Sequence, residues 1–311
     1  NTDALDNSGG VDMSDHEVNL KILLEPAVAR GEMSRERRNG LLEELTESVA
    51  GLVLQNNSAQ SLAISLDERR SKEALDDFRD LMFALEKKGD LDRTAERLPS
   101  TDVLRERRDR GQAMTRPELC VLLAYSKLSL KARLLSSGLP DDPVTESYLL
   151  GYFPLAATVA AGHERLSAHR LRREIITAEL TNDLVDLMGA GFVTRLERDT
   201  GQSAEVVVRA WLVASRLSDH RALLGQIARQ STEMNPRISY RWLLGLSRVL
   251  ERTTRWVLQN VDPEVLSARI VDQNLTGLAK LRESFGDFVR GEERALFEAR
   301  VKEIQEVGAD E

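Results

Sequence analysis

The chain has 311 residues, 41% of them hydrophobic and 30% charged, with a formal net charge of −8 and a pI near 5.3. That much apolar material can build one large or two modest cores, which excludes disorder as the default, and a negative surface repels phosphate backbones, which excludes nucleic acid as a partner. With only 5% aromatic residues and 8 Pro among recurrent Leu, Ala, Glu and Arg, the composition directs the chain to an all-α fold, an irregular multi-helix bundle.

The opening Asn1-Thr2-Asp3, without an initiating Met, reads as the cut edge of a longer chain. Asn7-Ser8-Gly9-Gly10-Val11-Asp12-Met13 reads as a loop, and from Ser14 the apolar positions Val18, Ile22, Leu23 and Leu24 take helical spacing, with Pro26 and Gly31 bracketing the end. Ser34 opens a second helix whose stripe is Leu41, Leu42, Leu45, Val49, Leu52 and Val53. A third is expected from about Leu66 to Lys88, on Leu75, Phe78, Met82 and Leu85, with Gly89 as its stop, and Leu91 to Leu98 is a shorter piece closed by Pro99. Thr115-Arg116-Pro117-Glu118 is a capping box that starts a long helix ending near Gly138 and Pro140. A helix between Pro143 and Pro154, a long stretch from Ser167 to Met188, and a segment from Gly189 to Gly201 follow, then two or three helices over 203–230. Pro236 precedes the expected longest helix, whose face is Trp242, Leu246, Val249, Leu250, Thr253, Trp256 and Val257; Asp262-Pro263-Glu264 restarts the chain, and 272–307 reads as one or two charged amphipathic helices. No alternating strands or hairpin dipeptides occur, and no repeat of solenoid period is found.

Cys120 is the single cysteine, so no intrachain disulfide or Cys-based zinc site can form, and beside Leu119 and Val121 it reads as a small buried filler. No apolar run approaches the roughly 20 residues that span a bilayer, so neither membrane insertion nor secretion is expected, and the cytoplasm is the expected compartment. Asp12, Asp15, His16 and Glu17 offer metal-binding side chains but match no defined spacing, and His163, His169 and His220 lack helical i, i+4 pairing. Gly189-Ala190-Gly191 has Thr194 where a dinucleotide loop has its third glycine, so it reads as a helix junction. The basic run Arg105, Arg107, Arg108 and Arg110 alternates with Glu106 and Asp109 and reads as a self-paired helix face. Trp211, Trp242 and Trp256 read as core or subunit contacts. Two readings of the opening segment stand side by side. Its glycines before a helix can hold a small anionic group, or they merely turn the chain into a Ser14–Glu17 capping box.

Thr2-Asp3-Ala4-Leu5-Asp6-Asn7-Ser8-Gly9-Gly10-Val11-Asp12-Met13-Ser14 resembles the segment of glutamate dehydrogenases that leaves the nucleotide-binding domain and lines the cleft. The continuation Asp15-His16-Glu17-Val18-Asn19-Leu20-Lys21-Ile22-Leu23-Leu24 is similar to the large bacterial NAD-specific type, as are Met114 to Leu119 with Leu122 to Lys127, and Asn182 to Met188 with Phe192-Val193, Arg195-Leu196 and Thr200-Gly201. In that family, glutamate loses hydride from its α-carbon to NAD, a lysine is general base, and the imine hydrolyses to 2-oxoglutarate and ammonia.

The resemblance implies that Asn7 and Gly9 approach the nicotinamide, that Gly10, Val11 and Ser14 line the glutamate or 2-oxoglutarate pocket, and that Ser14 donates to the side-chain carboxylate. It implies a tail of an α/β nucleotide-binding domain over 1–26 and a helical carboxy-terminal domain over 27–311 that is structural, regulatory or oligomer-forming. Homo-oligomers and contacts with upstream domains follow. The family's lysine-bearing glycine-rich motif and its dinucleotide glycine loop have no counterpart, so no catalytic residue is expected here and the fragment alone should be inactive. The competing expectation is a helical interaction or regulatory module with no ligand site.

Overall fold

The structure, a computed structural model, describes residues 2–231, 236–262 and 289–306, with Gly277, Lys280, Ser284 and Asp287 between the last two segments. Every regular element among the described residues is helical, and none is a strand. The expected restart at Asp262-Pro263-Glu264 and much of 272–307 lie outside the described residues; α16 (Gly291–Glu306) covers the end of that stretch.

The chain opens with one turn, α1 (Asp3–Asp6), and passes through Asn7 straight into α2 (Ser8–Ala29). The loop expected over residues 7–13 is therefore helical from Ser8 on, with Asn7 as a turn. Gly9 and Gly10 each disfavour a helix interior by about 1 kcal/mol, but the same helix buries Leu20, Leu23, Leu24 and Ala27, and packing of that face outweighs local propensity. Ser14 is accordingly no cap: its hydroxyl donates to the Gly10 carbonyl one turn back, at 3.1 Å.

α3 (Arg35–Glu44) is capped by Ser34, whose Oγ accepts from Arg37 N at 3.1 Å. The stripe from Leu41 to Val53 is interrupted at Leu45, and α4 (Thr46–Glu73) carries it on; at 28 residues α4 is longer than the helix after Pro236, α15 (Pro236–Asn260) at 25. Ala74, at φ −142° and ψ 64°, separates α4 from α5 (Leu75–Lys88), so the helix expected over 66–88 is two. Gly89 ends α5 in the left-handed region, as its position predicts. Residues 91–98 form turns in which Asp92 accepts from Thr94 N and Ala95 N. The basic run lies on α6 (Thr101–Asp109) and at Arg110, and it is paired: Arg105 with Asp102, Arg107 with Glu118, Arg108 with Asp76, Arg110 with Glu106.

α7 (Arg116–Leu135) begins with the expected capping box, Thr115 N donating to Glu118 at 2.8 Å. Two 3₁₀ turns, Leu139–Asp141 and Pro143–Thr145, lead to α8 (Glu146–Tyr152), and Pro154 separates it from α9 (Leu155–Ala161). α10 (His163–Ser167), α11 (Arg172–Met188), α12 (Phe192–Thr200), α13 (Ala204–Ser218) and α14 (His220–Ser231) complete the series before α15.

The chain divides into two compact units, residues 1–208 and 209–311, and the division falls within α13. In the first unit α4, α7 and α11 pack on one another around Ile64, Leu122, Leu123, Ile176, Leu180 and Leu184, with Cys120 buried as expected. α2 lies against α4, with α3, α9 and α10 also packed on it. In the second unit α14 packs on α15. Leu246, Leu250 and Val257 are buried, but Val249 and Trp256, placed on the same face by the sequence, are exposed. Trp211 is fully buried and meets the His220 ring edge-on at 5.8 Å.

Gly189 shows why the α11–α12 junction is built of glycine. Its φ of +88° suits no side chain, and a Cβ there would lie 2.4 Å from Asp67 Oδ1 and 2.8 Å from Arg70 Nη1. Asp67, buried on α4, uses its other oxygen to accept from Ala190 N at 3.0 Å, while Arg70 donates to Leu187 O at 2.6 Å. Both the strained φ and the clash act against any larger residue, so Gly189→Ala should destabilise the fold by at least about 2 kcal/mol. Chemical denaturation of the purified variant checks this; an unchanged midpoint would remove Gly189 as the fixed point of the junction.

Candidate functional site

Successive residues of an α-helix turn by about 100°, which assigns every side chain at the start of α2 to a face. Gly10 and Val11 lie three and four residues after Asn7, Ser14 four and three after them, and Val18 four further on, all on the outer face. Asn7, Gly10 and Ser14 are exposed, as are Val11 and Val18, at 65% and 52%. Asp12, His16, Asn19 and Leu23 form the opposite, inner face, on which His16 is only 1% exposed. Four of the five residues singled out in the sequence thus share one open surface. Gly9 does not: a Cβ there would meet Val53 of α4 at 3.5 Å, an ordinary packing distance, so this glycine faces α4. A Cβ on Gly10 would touch only Asn7 Oδ1, at 3.8 Å, which leaves the backbone there open to a flat ligand. No acidic side chain occupies the first turn of α2, where the helix dipole is positive.

The inner face is fixed by polar contacts that no local pattern announces. Asn56 and Asn57 of α4 hold the start of α2, the first donating to Asp12 at 2.9 Å and the second to Leu5 O at 3.1 Å and Ser8 Oγ at 3.0 Å. His16 stacks on Tyr152 of α8, ring centroids 4.2 Å apart and planes 13° from parallel. Asn19 Nδ2 donates to the Tyr152 hydroxyl at 2.8 Å, and the Asn19 carbonyl accepts from His169 Nε2 at 3.1 Å, the His169 tautomer following from Leu171 N donating to its Nδ1. Tyr152 meets Phe153 edge-on at 5.0 Å, and Phe153 lies 5.5 Å from His169. α8 and the turn carrying His169, far along the chain, therefore set how α2 presents its outer face.

Burial sets the charge states of this layer. It pushes the His16 and His169 imidazoles below their usual range, against the opposing pull of Asp12 and Asp15 on His16, and it pushes the Tyr152 phenol up. Glu179 of α11, half-buried and without a hydrogen bond or ion pair among the described residues, is pushed up to about 7, first by burial and then by Asp12 and Asp183, with Lys127 opposing. Lys127 is occupied by Asp186 at 2.6 Å, and Asp183 accepts from the Tyr148 hydroxyl at 2.7 Å. Among the described residues no group of three His, Cys, Asp or Glu side chains is arranged to hold a metal.

Residues 111–311 match the family described as "Glutamate dehydrogenase, C-terminal", and residues 1–67 match "Bacterial NAD-glutamate dehydrogenase, catalytic domain". The chain belongs to this glutamate dehydrogenase family. It is 39% identical to an NAD-specific glutamate dehydrogenase of Pseudomonas aeruginosa, 38% to one of Halomonas elongata and 35% to one of Mycobacterium tuberculosis. Each alignment covers 100% of this chain and 19% of the relative, so the chain spans about a fifth of their length. Within the chain, the segment matching the catalytic domain contains α1, α2, α3 and most of α4.

Glu179 gives the layer a measurable pH dependence. Its folded value lies above its ordinary value near 4.5, so folding favours the protonated form. That stabilisation is complete below the unfolded value and is lost as pH rises through about 7. Glu179→Gln, which stays neutral, should therefore gain up to about 3 kcal/mol over the native chain at alkaline pH and little at acid pH. Denaturation midpoints measured across that range check the sign; a variant weaker than the native chain at alkaline pH contradicts it.

Proposed function

We propose that the complete enzyme oxidises L-glutamate with NAD and water to 2-oxoglutarate, ammonia and NADH, and that the outer face of α2 is one wall of its cleft. The observation that carries this reading is the convergence of Asn7, Gly10, Val11 and Ser14 on one exposed helical face, within the segment that matches the catalytic domain. The relatives are named NAD-specific glutamate dehydrogenases, which supports NAD as the cofactor and glutamate as the substrate.

On this reading Ser14 recognises the side-chain carboxylate of glutamate. Its hydroxyl now donates to Gly10 O, and rotation about its Cα–Cβ bond turns the same donor outward. Val11 supplies apolar contact to the substrate's methylenes, and Gly10 admits close approach of the ligand backbone. Asn7 and Gly9 lie toward the nicotinamide, Asn7 through its exposed amide and Gly9 through its main chain. NAD, when bound, accepts the hydride from the α-carbon, while these residues bind and orient. The general base and the dinucleotide loop belong to the rest of the enzyme, so this fragment alone does not turn over. Residues 1–26 are the tail of the catalytic part and 27–311 its helical support, with a cytoplasmic, homo-oligomeric enzyme as the setting. A contact role for the helical part is supported by α9, seven residues without a charge, whose Leu155 and Val159 are 79% and 74% exposed.

In the complete enzyme, Ser14→Ala should raise KM for glutamate roughly tenfold or more, the effect of losing a hydrogen bond to a charged group, with a smaller change in KM for NAD. Steady-state kinetics read this directly, and native glutamate kinetics in the variant would remove Ser14 from the pocket. Calorimetry of the fragment alone should show no measurable NAD binding; tight binding would contradict a site completed elsewhere.

A further inference from the structure

We propose that His16 is a positioning residue for glutamate binding, the pivot that fixes the rotation of α2 and with it the direction of its outer face. This rests on the reading of the α2 outer face as a cleft wall.

The geometry runs through the helix. Ser14 and His16 are two residues apart and so lie on nearly opposite faces, which means that any rolling of α2 about its axis moves both together. His16 is the inner residue best placed to resist rolling, since it is 1% exposed and lies flat on Tyr152 at 4.2 Å. Neither ring nitrogen has a hydrogen-bond partner among the described residues, and Asp12 stands 3.8 Å away. What His16 contributes is thus the flat face of a neutral ring, not a donor or acceptor.

The test is KM for glutamate in the complete enzyme. His16→Ala should raise it about threefold or more with a smaller change in kcat, and His16→Phe, which restores a flat ring, should recover most of the loss. Ser14→Ala in the same enzyme separates the two claims. If it raises KM while His16→Phe behaves as His16→Ala, the pivot is overturned and the cleft wall stands. If Ser14→Ala changes nothing, the cleft wall fails and the positioning claim with it.

Discussion

The contact on which the candidate site depends is the stack of His16 on Tyr152. A helix that carries ligand-facing residues on one side is useful only if its rotation is fixed, and rotation is resisted from the other side. Here the resisting side is a buried imidazole lying on a phenol ring, flanked by Asn19 bonded to that phenol and by His169 bonded to the Asn19 carbonyl. Asn56 and Asn57 of α4 restrain the first turns from a second direction. Polar contacts of this kind add little net stability individually, but they are directional where apolar packing is not, and so they specify one register.

Beneath that layer the support is ordinary helix packing with one tightly specified corner. α4, α7 and α11 share an apolar core, and α4 is long enough to reach from α2 at one end to the α11–α12 junction at the other. There Asp67 and Arg70 occupy the space that Gly189 leaves free. One helix therefore links the segment that matches a catalytic domain to the helices that match the carboxy-terminal family.

Much of the fold is legible in the sequence because helix stops and starts are local chemistry. Thr115 and Glu118, Ser34, and Gly89 act where their side chains or missing Cβ predict, and the apolar stripe of α5 is buried as its spacing requires. The errors come from the same locality. Two adjacent glycines read as a loop, yet burial of Leu20, Leu23 and Leu24 further along extends α2 back through them. Ser14 and Glu17 have capping-box spacing, but a cap exists only where a helix begins, and this one begins at Ser8. In the site, the outer-face residues were found through resemblance to a known segment. The inner-face partners were not, because Tyr152 is 133 residues from Asn19, and nothing in the spacing of either marks the pair. Glu179 reads as one more acidic residue of a charged helix until the fold buries it.

On the proposed reading the two faces of α2 divide the work: the outer face, with Asn7, Gly10, Val11 and Ser14, meets ligand, and the inner face, with Asp12, His16 and Asn19, holds the helix in place. Alkylation of Ser14→Cys in the complete enzyme, followed by mass spectrometry of the peptide carrying that position, tests the central claim most directly. The labelling rate should fall sharply when NADH and 2-oxoglutarate are bound. Labelling at an unchanged rate in the saturated enzyme would show that this face points away from the cleft and contradict the account.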